Sequence, residues 1–259
     1  MSDKFLFVNG MKLRYQEINP EASRPLVLLN GIGANLETWT PLLPHLGDRH
    51  VVMIDVPGVG KSPYRFFPRT LDFYANEIAK ATYELGLDDF DLAGYSWGGA
   101  CAQEFVRLHP ERVNNLILIS TTPGFEGKMP ESSVIAMASS PARHYSREIA
   151  KRVAPFIHGG DPKGEDIMLK YLTVPNPIGF THQVAAIAHW AGKKRPVNHT
   201  HRTLVLSGNR DPLIPHKNSL VLNQLFKKSQ LYIASGGGHL WVITEPDHSG
   251  SIISTFLDA

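Results

Sequence analysis

The chain has 259 residues, of which 42% are hydrophobic and 19% charged, so it is long enough to bury a sizeable core. Its 26 basic and 24 acidic residues give a formal net charge of +2, which excludes the general positive field that attracts nucleic acid. No apolar run approaches the ~20 residues that a membrane span requires. We therefore expect no nucleic-acid partner and no membrane span.

Cysteine content and the first residues bear on the cellular compartment. The one cysteine, Cys101, cannot form an internal disulfide and is expected to be a small buried hydrophobic residue. The opening stretch MSDKFLFVNGMKLRY contains an apolar run too brief for a signal peptide. We therefore expect a cytoplasmic protein. The sequence indicates no particular oligomeric state.

The predicted elements begin with an antiparallel hairpin, because two strand-like runs flank Asn9-Gly10 in KFLFVNGMKLRYQEI. Short apolar runs then alternate with amphipathic segments. Strands are expected at 25–30, 50–55, 89–94 and 113–120, and helices from near Asn35, over 70–85 and over 97–108. Strands that are apolar on both faces and alternate with helices predict an α/β fold, with a mostly parallel sheet covered by helices on both faces.

This alternation stops between residues 123 and 201, a segment called the insertion below. It is rich in Pro, Gly and Ser, and it contains the helical patches SREIAKRVAPFI and GFTHQVAAIAHWA. Because it holds too many aromatic and aliphatic residues to stay disordered, we interpret it as a helical cap over one end of the sheet. The alternation resumes with strands at 202–211 and 230–235 and helices over 216–226 and 240–257. Residues 1–122 and 202–259 are thus predicted to form the core.

Three residues that carry chemistry each follow a predicted strand, at the edge where the carboxyl ends of parallel strands collect. They are Ser96, Asp211 and His239. Ser96 lies in GYSWG, the pattern of a nucleophile elbow, and the order Ser, Asp, His is that of hydrolases with this elbow. His239 would accept the serine proton, and Asp211 would hold the imidazole tautomer.

Each of these residues also has a plainer interpretation. A Gly-rich turn also binds phosphate, Asp211 could cap the following helix, and His239 could be a solvated loop residue. Their joint placement and order favour a serine hydrolase.

Two backbone N–H groups are predicted to stabilise the oxyanion of such a reaction. One belongs to Trp97, directly after the serine and at the start of a helix. The other belongs to Ile32 in NGIGAN, where two glycines let the backbone approach a substrate. Serine hydrolysis needs no metal and no cofactor, and the histidines at 182, 189, 199 and 201 show no zinc spacing.

Several stretches carry a family resemblance: NGIGANLETW, IDVPGVGKS, GYSWGGACAQEF, MASSPARHY, NRDPLIP and GGGHLWVIT. They resemble the α/β-hydrolase superfamily and, within it, the intracellular depolymerases of medium-chain-length polyhydroxyalkanoates. This resemblance implies the α/β-hydrolase fold and serine-dependent hydrolysis of ester bonds in 3-hydroxyalkanoate polymer or oligomers. It makes the surface of a storage granule a candidate partner. Asn30 is shared with that family, where most of the superfamily has histidine.

Apolar side chains of the insertion would suit an alkyl substrate. Met137, Ile157 and Trp190, with Asn30, are the predicted substrate-binding residues, although such side chains also pack an insertion's own core. Other functions stay open at this point. They are a general esterase, thioesterase or carbon–carbon hydrolase, a peptidase that releases N-terminal proline and needs acidic side chains for the substrate amine, and a slow-turnover ligand receptor.

Overall fold

A computed structural model describes residues 2–140, 142–159, 162–171, 174–194 and 200–259, so position 199 lies outside the described residues. Its sheet has the strand order β1-β2-β4-β3-β5-β6-β7-β8. Strands β1 and β2 form the predicted antiparallel hairpin, β2 also pairs antiparallel with β4, and the other pairs are parallel. The strands are β1 (Lys4–Val8), β2 (Met11–Ile18), β3 (Pro25–Leu29), β4 (His50–Ile54), β5 (Phe90–Tyr95), β6 (Val113–Ile119), β7 (Arg202–Gly208) and β8 (Lys228–Ala234).

Helices cover both faces of this sheet and form the described parts of the insertion. The helices are α1 (Leu71–Glu84), α2 (Trp97–Leu108), α3 (Ser132–Ser139), α4 (Ala142–Tyr145), α5 (Arg147–His158), α6 (Pro162–Tyr171), α7 (Pro177–Ala191), α8 (Lys217–Leu225), α9 (Trp241–Thr244) and α10 (Pro246–Asp258). Helices α3 to α7 all lie between β6 and β7, and the described residues of the insertion contain no strand.

An apolar core lies on each face of the sheet. Val27 and Leu29 of β3 enter the core covered by α1 and α2, whereas Leu26 and Leu28 enter the core covered by α9 and α10. Alternate residues of a strand point to opposite faces, so a strand that is apolar throughout has to be covered twice. Cys101 is fully buried in the first core, and this burial raises the pKa of its thiol.

The helix predicted from near Asn35 is wrong. The chain forms two short 3-10 turns there, Leu36–Trp39 and Leu43–His45. Pro41 and Pro44 follow within a few residues. Proline lacks the N–H that a continuing α-helix needs, and its ring clashes with the preceding turn.

The predicted final helix over 240–257 is divided into α9 and α10. Pro246 lies in the first turn of α10, where its missing N–H costs nothing. The same proline cannot continue α9, so the chain turns at Glu245.

A buried ion pair contacts the first residue of the turn Leu36–Trp39. The Arg14 Nη1 atom lies 3.1 Å from Asp55 Oδ2, and Asp55 Oδ1 accepts the Leu36 N–H at 2.9 Å. Burial raises the pKa of Asp55 to about 6, while the Arg14 charge and the Leu36 N–H act in the opposite direction. Arg14 of β2 and Asp55, the residue directly after β4, therefore hold the start of this turn.

Candidate active site

Ser96 occupies a strained turn between β5 and α2. Its φ of 54° and ψ of −114° lie in a region that residues with side chains rarely adopt. A Cβ atom on Gly98 would overlap the carbonyl oxygen of Leu29, so the helix approaches β3 more closely than any residue but glycine allows. This packing holds the serine at the carboxyl edge of the sheet, as the GYSWG pattern predicts.

The three residues that follow strands meet at this edge. His239 Nε2 lies 3.1 Å from Ser96 Oγ, and His239 Nδ1 lies 2.7 Å from Asp211 Oδ2. The exposed fractions are 9% for Ser96, 5% for Asp211 and 2% for His239, so water is largely excluded from both hydrogen bonds. The structure thus brings together all three predicted residues, in the order that proton transfer requires.

Asp211 determines the tautomer of this arrangement. Its Oδ1 accepts the N–H groups of Leu213 at 2.9 Å and Ile214 at 2.8 Å, which fixes the carboxylate plane. The other oxygen then faces His239 Nδ1, and a carboxylate can only accept there. The Nδ1–H therefore donates to Asp211, and Nε2 is left as the acceptor for the Ser96 hydroxyl.

The insertion contacts the histidine loop directly. The His239 N–H donates to the carbonyl oxygen of His158, the last residue of α5, at 3.1 Å. A Cβ atom on Gly238 would overlap that same carbonyl. The end of α5 is therefore packed against the loop that carries His239.

The two predicted oxyanion donors lie beside the serine. Within the described part of the chain, neither the Ile32 N–H nor the Trp97 N–H has a hydrogen-bond acceptor. The next amide of the Gly-rich loop differs, because the Gly33 N–H donates to Gln183 Oε1 at 2.8 Å. The N–H groups of Ile32 and Trp97 are thus available to a ligand, whereas the Gly33 N–H holds the Gly-rich loop against α7.

Gln183 is the residue of this site that the sequence did not reveal. It lies on α7, is 1% exposed, and contacts both oxyanion elements. Its side chain accepts the Gly33 N–H, and its carbonyl oxygen accepts the indole Nε1–H of Trp97 at 3.1 Å. No local pattern marks it, because these contacts depend on how α7 packs on the core.

A small cavity opens at the serine, with a volume of ≈ 40 Å³. Its wall is formed mainly by the Gly-rich loop and aliphatic side chains, together with Ser96 and His239. The lining residues are Gly31, Ile32, Gly33, Ala34, Thr38, Tyr95, Ser96, Ile157, His158, Leu213, His239 and Leu240.

The four predicted substrate-binding residues have different surroundings. Ile157 lines the cavity, whereas Trp190 lies between α7 and the core, with its Nε1–H donated to Glu104 Oε2 at 3.0 Å. Met137 is half-buried on α3 and does not line this cavity. Asn30 is buried and does not line the cavity, and neither of its side-chain polar atoms has a hydrogen-bond partner in the described residues.

Metal and membrane signatures are also absent from the part of the chain that the structure describes. No group of three or more His, Cys, Asp or Glu side chains there could hold a metal ion. None of its helices is both long enough and apolar enough to cross a membrane.

Comparison with known proteins begins with a family model. Residues 24–157 match the model of the alpha/beta hydrolase fold. This range includes Ser96 and the Gly-rich loop.

Two relatives match over most of the chain. A poly(3-hydroxyalkanoate) depolymerase of Ectopseudomonas oleovorans is 34% identical over 90% of this chain and 84% of its own length. A pimeloyl-[acyl-carrier protein] methyl ester esterase of Legionella pneumophila is 24% identical over 90% of this chain and 95% of its own.

Among solved structures, a serine hydrolase of Cycloclasticus zankles superposes with a TM-score of 0.85. The match covers 99% of this chain and 98% of that one, at 17% identity. At this identity the likeness shows a shared fold.

Proposed function

The chain belongs to the α/β-hydrolase family, and from this we propose that it is a serine-dependent carboxylic ester hydrolase acting on medium-chain 3-hydroxyalkanoate polymer or oligomers. The observation that carries the proposal is the hydrogen-bonded series from Ser96 through His239 to Asp211. The insertion, in this proposal, is the helical cap that borders the substrate site, and the storage-granule surface is where a water-insoluble polymer would be met.

The proposed reaction follows from the geometry. Ser96 Oγ attacks the ester carbonyl while His239 Nε2 takes its proton, and Asp211 stabilises the imidazolium that forms. The N–H groups of Ile32 and Trp97 would bind the oxyanion, and removal of one such donor typically costs about 2.7–4 kcal/mol of transition-state stabilisation. His239 then protonates the leaving alcohol, and water attacks the acyl-enzyme by the same route in reverse.

The cavity wall favours an ester with an apolar acyl group over the open alternatives. Ile32, Ile157, Leu213 and Leu240 provide aliphatic surface beside the serine. Among the described residues that line the cavity there is no Asp or Glu, whereas a peptidase that releases N-terminal proline needs a carboxylate for the substrate amine. The names of the two relatives, a poly(3-hydroxyalkanoate) depolymerase and a methyl ester esterase, also indicate ester substrates.

The substrate class can be tested with emulsions. Purified protein is expected to clear an emulsion of medium-chain polyhydroxyalkanoate and to release 3-hydroxy acids. It should also hydrolyse p-nitrophenyl octanoate at least tenfold faster than the acetate, because each buried methylene contributes about 0.8 kcal/mol. Hydrolysis of soluble esters without clearing would support a general esterase instead, and the absence of any turnover would support a receptor.

Gln183→Leu tests the role of α7 in shaping the oxyanion site. Leucine removes the acceptor of the Gly33 N–H, so the Gly-rich loop is expected to shift and kcat to fall by roughly 100-fold, as misplacement of about 1 Å can cause. Affinity for a trifluoromethyl ketone, which forms a bound oxyanion with the serine, should fall in parallel with kcat, while KM changes less.

Thr181→Val is the matched control on the same helix. Thr181 is exposed, and its hydroxyl donates to Pro177 O within the helix at 2.8 Å. This variant should keep the kcat of the original protein. If folded Gln183→Leu kept it too, the contact between α7 and the Gly-rich loop would have no catalytic role.

A further inference from the structure

Two polar side chains besides the catalytic serine and histidine stand out on the cavity wall. One is Thr38, which is 2% exposed and lies on the turn Leu36–Trp39. Its Oγ1 has no hydrogen-bond partner in the described residues. A buried hydroxyl without a partner is costly, and it is uncommon unless water or a ligand completes it.

The other is His158, at the end of α5. This residue is 6% exposed and lines the cavity. Its ring lies nearly parallel to the ring of His239, with 6.4 Å between centroids and 23° between planes. The hydrogen bond from the His239 N–H to the His158 carbonyl fixes the backbone at this point. The backbone of His158 is therefore held close to the loop of the catalytic base, and its ring lies beside that base.

The size of the cavity limits what these two side chains can contact. Thr38 and His158 share the wall of this ≈ 40 Å³ cavity with Ser96 and His239, so a group bound against them would lie close to the reacting carbonyl. The remaining lining is the aliphatic surface described above, the Gly-rich loop and Tyr95. A second oxygen near the carbonyl is thus the group that Thr38 and His158 could bind, and a plain alkyl chain would leave the Thr38 hydroxyl unpaired.

We propose that Thr38 and His158 form a subsite for the oxygen on the third carbon of the acyl group. This inference rests on the proposed function, in which each acyl unit carries such an oxygen three bonds from the carbonyl carbon. The threonine hydroxyl can donate to an ester oxygen within the polymer, or either donate to or accept from a free 3-hydroxyl at a chain end. The subsite would make the protein selective for 3-oxygenated acyl groups over fatty acyl groups of equal length.

A pair of substrates with one leaving group tests this. The ratio of kcat/KM for p-nitrophenyl 3-hydroxyoctanoate to that for p-nitrophenyl octanoate is expected to exceed about 10 in the original protein, because a site built to bind a hydroxyl discriminates against the analogue that lacks it. Thr38→Val, which keeps the shape and removes the hydroxyl, should lower this ratio by about tenfold. Thr38→Ser should restore much of it, and His158→Phe should lower it as Thr38→Val does.

Thr40→Val is the matched control, since Thr40 lies just after the same turn and outside the cavity wall. It should leave the ratio unchanged. If the original protein itself gave a ratio near one, that measurement alone would contradict the proposed subsite. Equal losses on both esters in folded Thr38→Val and His158→Phe would overturn it as well, while hydrolysis of both esters would leave the proposed function standing. If the original protein hydrolysed neither ester, the proposed function would fail first.

Discussion

Ser96→Ala is expected to lower kcat on p-nitrophenyl octanoate by roughly 10⁶-fold, the size of loss seen when the nucleophile of a triad is removed. The reason is that no other group at the elbow can form the acyl-enzyme. A fluorophosphonate should label the original protein at Ser96 and leave the alanine variant unlabelled. A rate assay measures the loss of kcat, and mass spectrometry of the labelled peptide identifies the serine that reacts.

Ser120→Ala provides the matched control. Ser120 also follows a strand, has a positive φ of 44° and is buried, and its Oγ has no partner in the described residues. It does not line the cavity at Ser96. This variant should keep its activity and its labelling. Labelling at Ser120, or turnover that survives Ser96→Ala, would contradict the proposed mechanism.

Asp211→Asn is expected to lower kcat by about 10⁴-fold, because the amide would favour the wrong imidazole tautomer. The fold should survive, since asparagine keeps the oxygen that accepts the Leu213 and Ile214 N–H groups. Its Nδ2 would then face His239 Nδ1 as a donor, so the ring would present its N–H to Ser96 instead of a lone pair. Steady-state kinetics and a thermal unfolding curve measure both expectations.

Asn209→Asp, the opposite exchange two residues earlier in the chain, is the control for Asp211→Asn. Asn209 is exposed, and its Oδ1 accepts the Gly236 N–H at 2.8 Å. Asn209→Asp keeps that acceptor and changes the charge near the same loop, so kcat should change less than tenfold. If Asp211→Asn behaved like Asn209→Asp, another acid would have to serve His239.

The sequence was sufficient to place these three residues because each depends on one local pattern. A strand that is apolar on both faces ends in a turn, and parallel strands bring their carboxyl ends to one edge. The topology of the core therefore brings Ser96, Asp211 and His239 to one edge of the sheet, and no detail of the insertion is needed to predict this. The arrangement of β5 and α2 around the serine follows from the glycines of GYSWGG in the same way.

The residues contributed by the insertion were harder to predict. Gln183 contacts the core through its side-chain oxygen and its carbonyl, and His158 does so through its carbonyl and its ring. These contacts depend on how α5 and α7 pack on the core, which the hydrophobic pattern of the sequence does not indicate. The same limit applies to Trp190, because an aromatic residue in an apolar helix suits a substrate wall and a helix interface equally well. The helix expected near Asn35 failed for a local reason, the two prolines that follow it.

The hydrogen bond from the His239 N–H to the His158 carbonyl also has a consequence for engineering. Exchanging the insertion for that of another hydrolase is an obvious route to a new acyl preference. A graft that changed the end of α5 would remove the acceptor of this N–H and unsettle the histidine loop, and one that changed α7 would release the Gly33 N–H. Chimeras of this chain should therefore keep the backbone of His158 and the side chain of Gln183 and vary the residues between them.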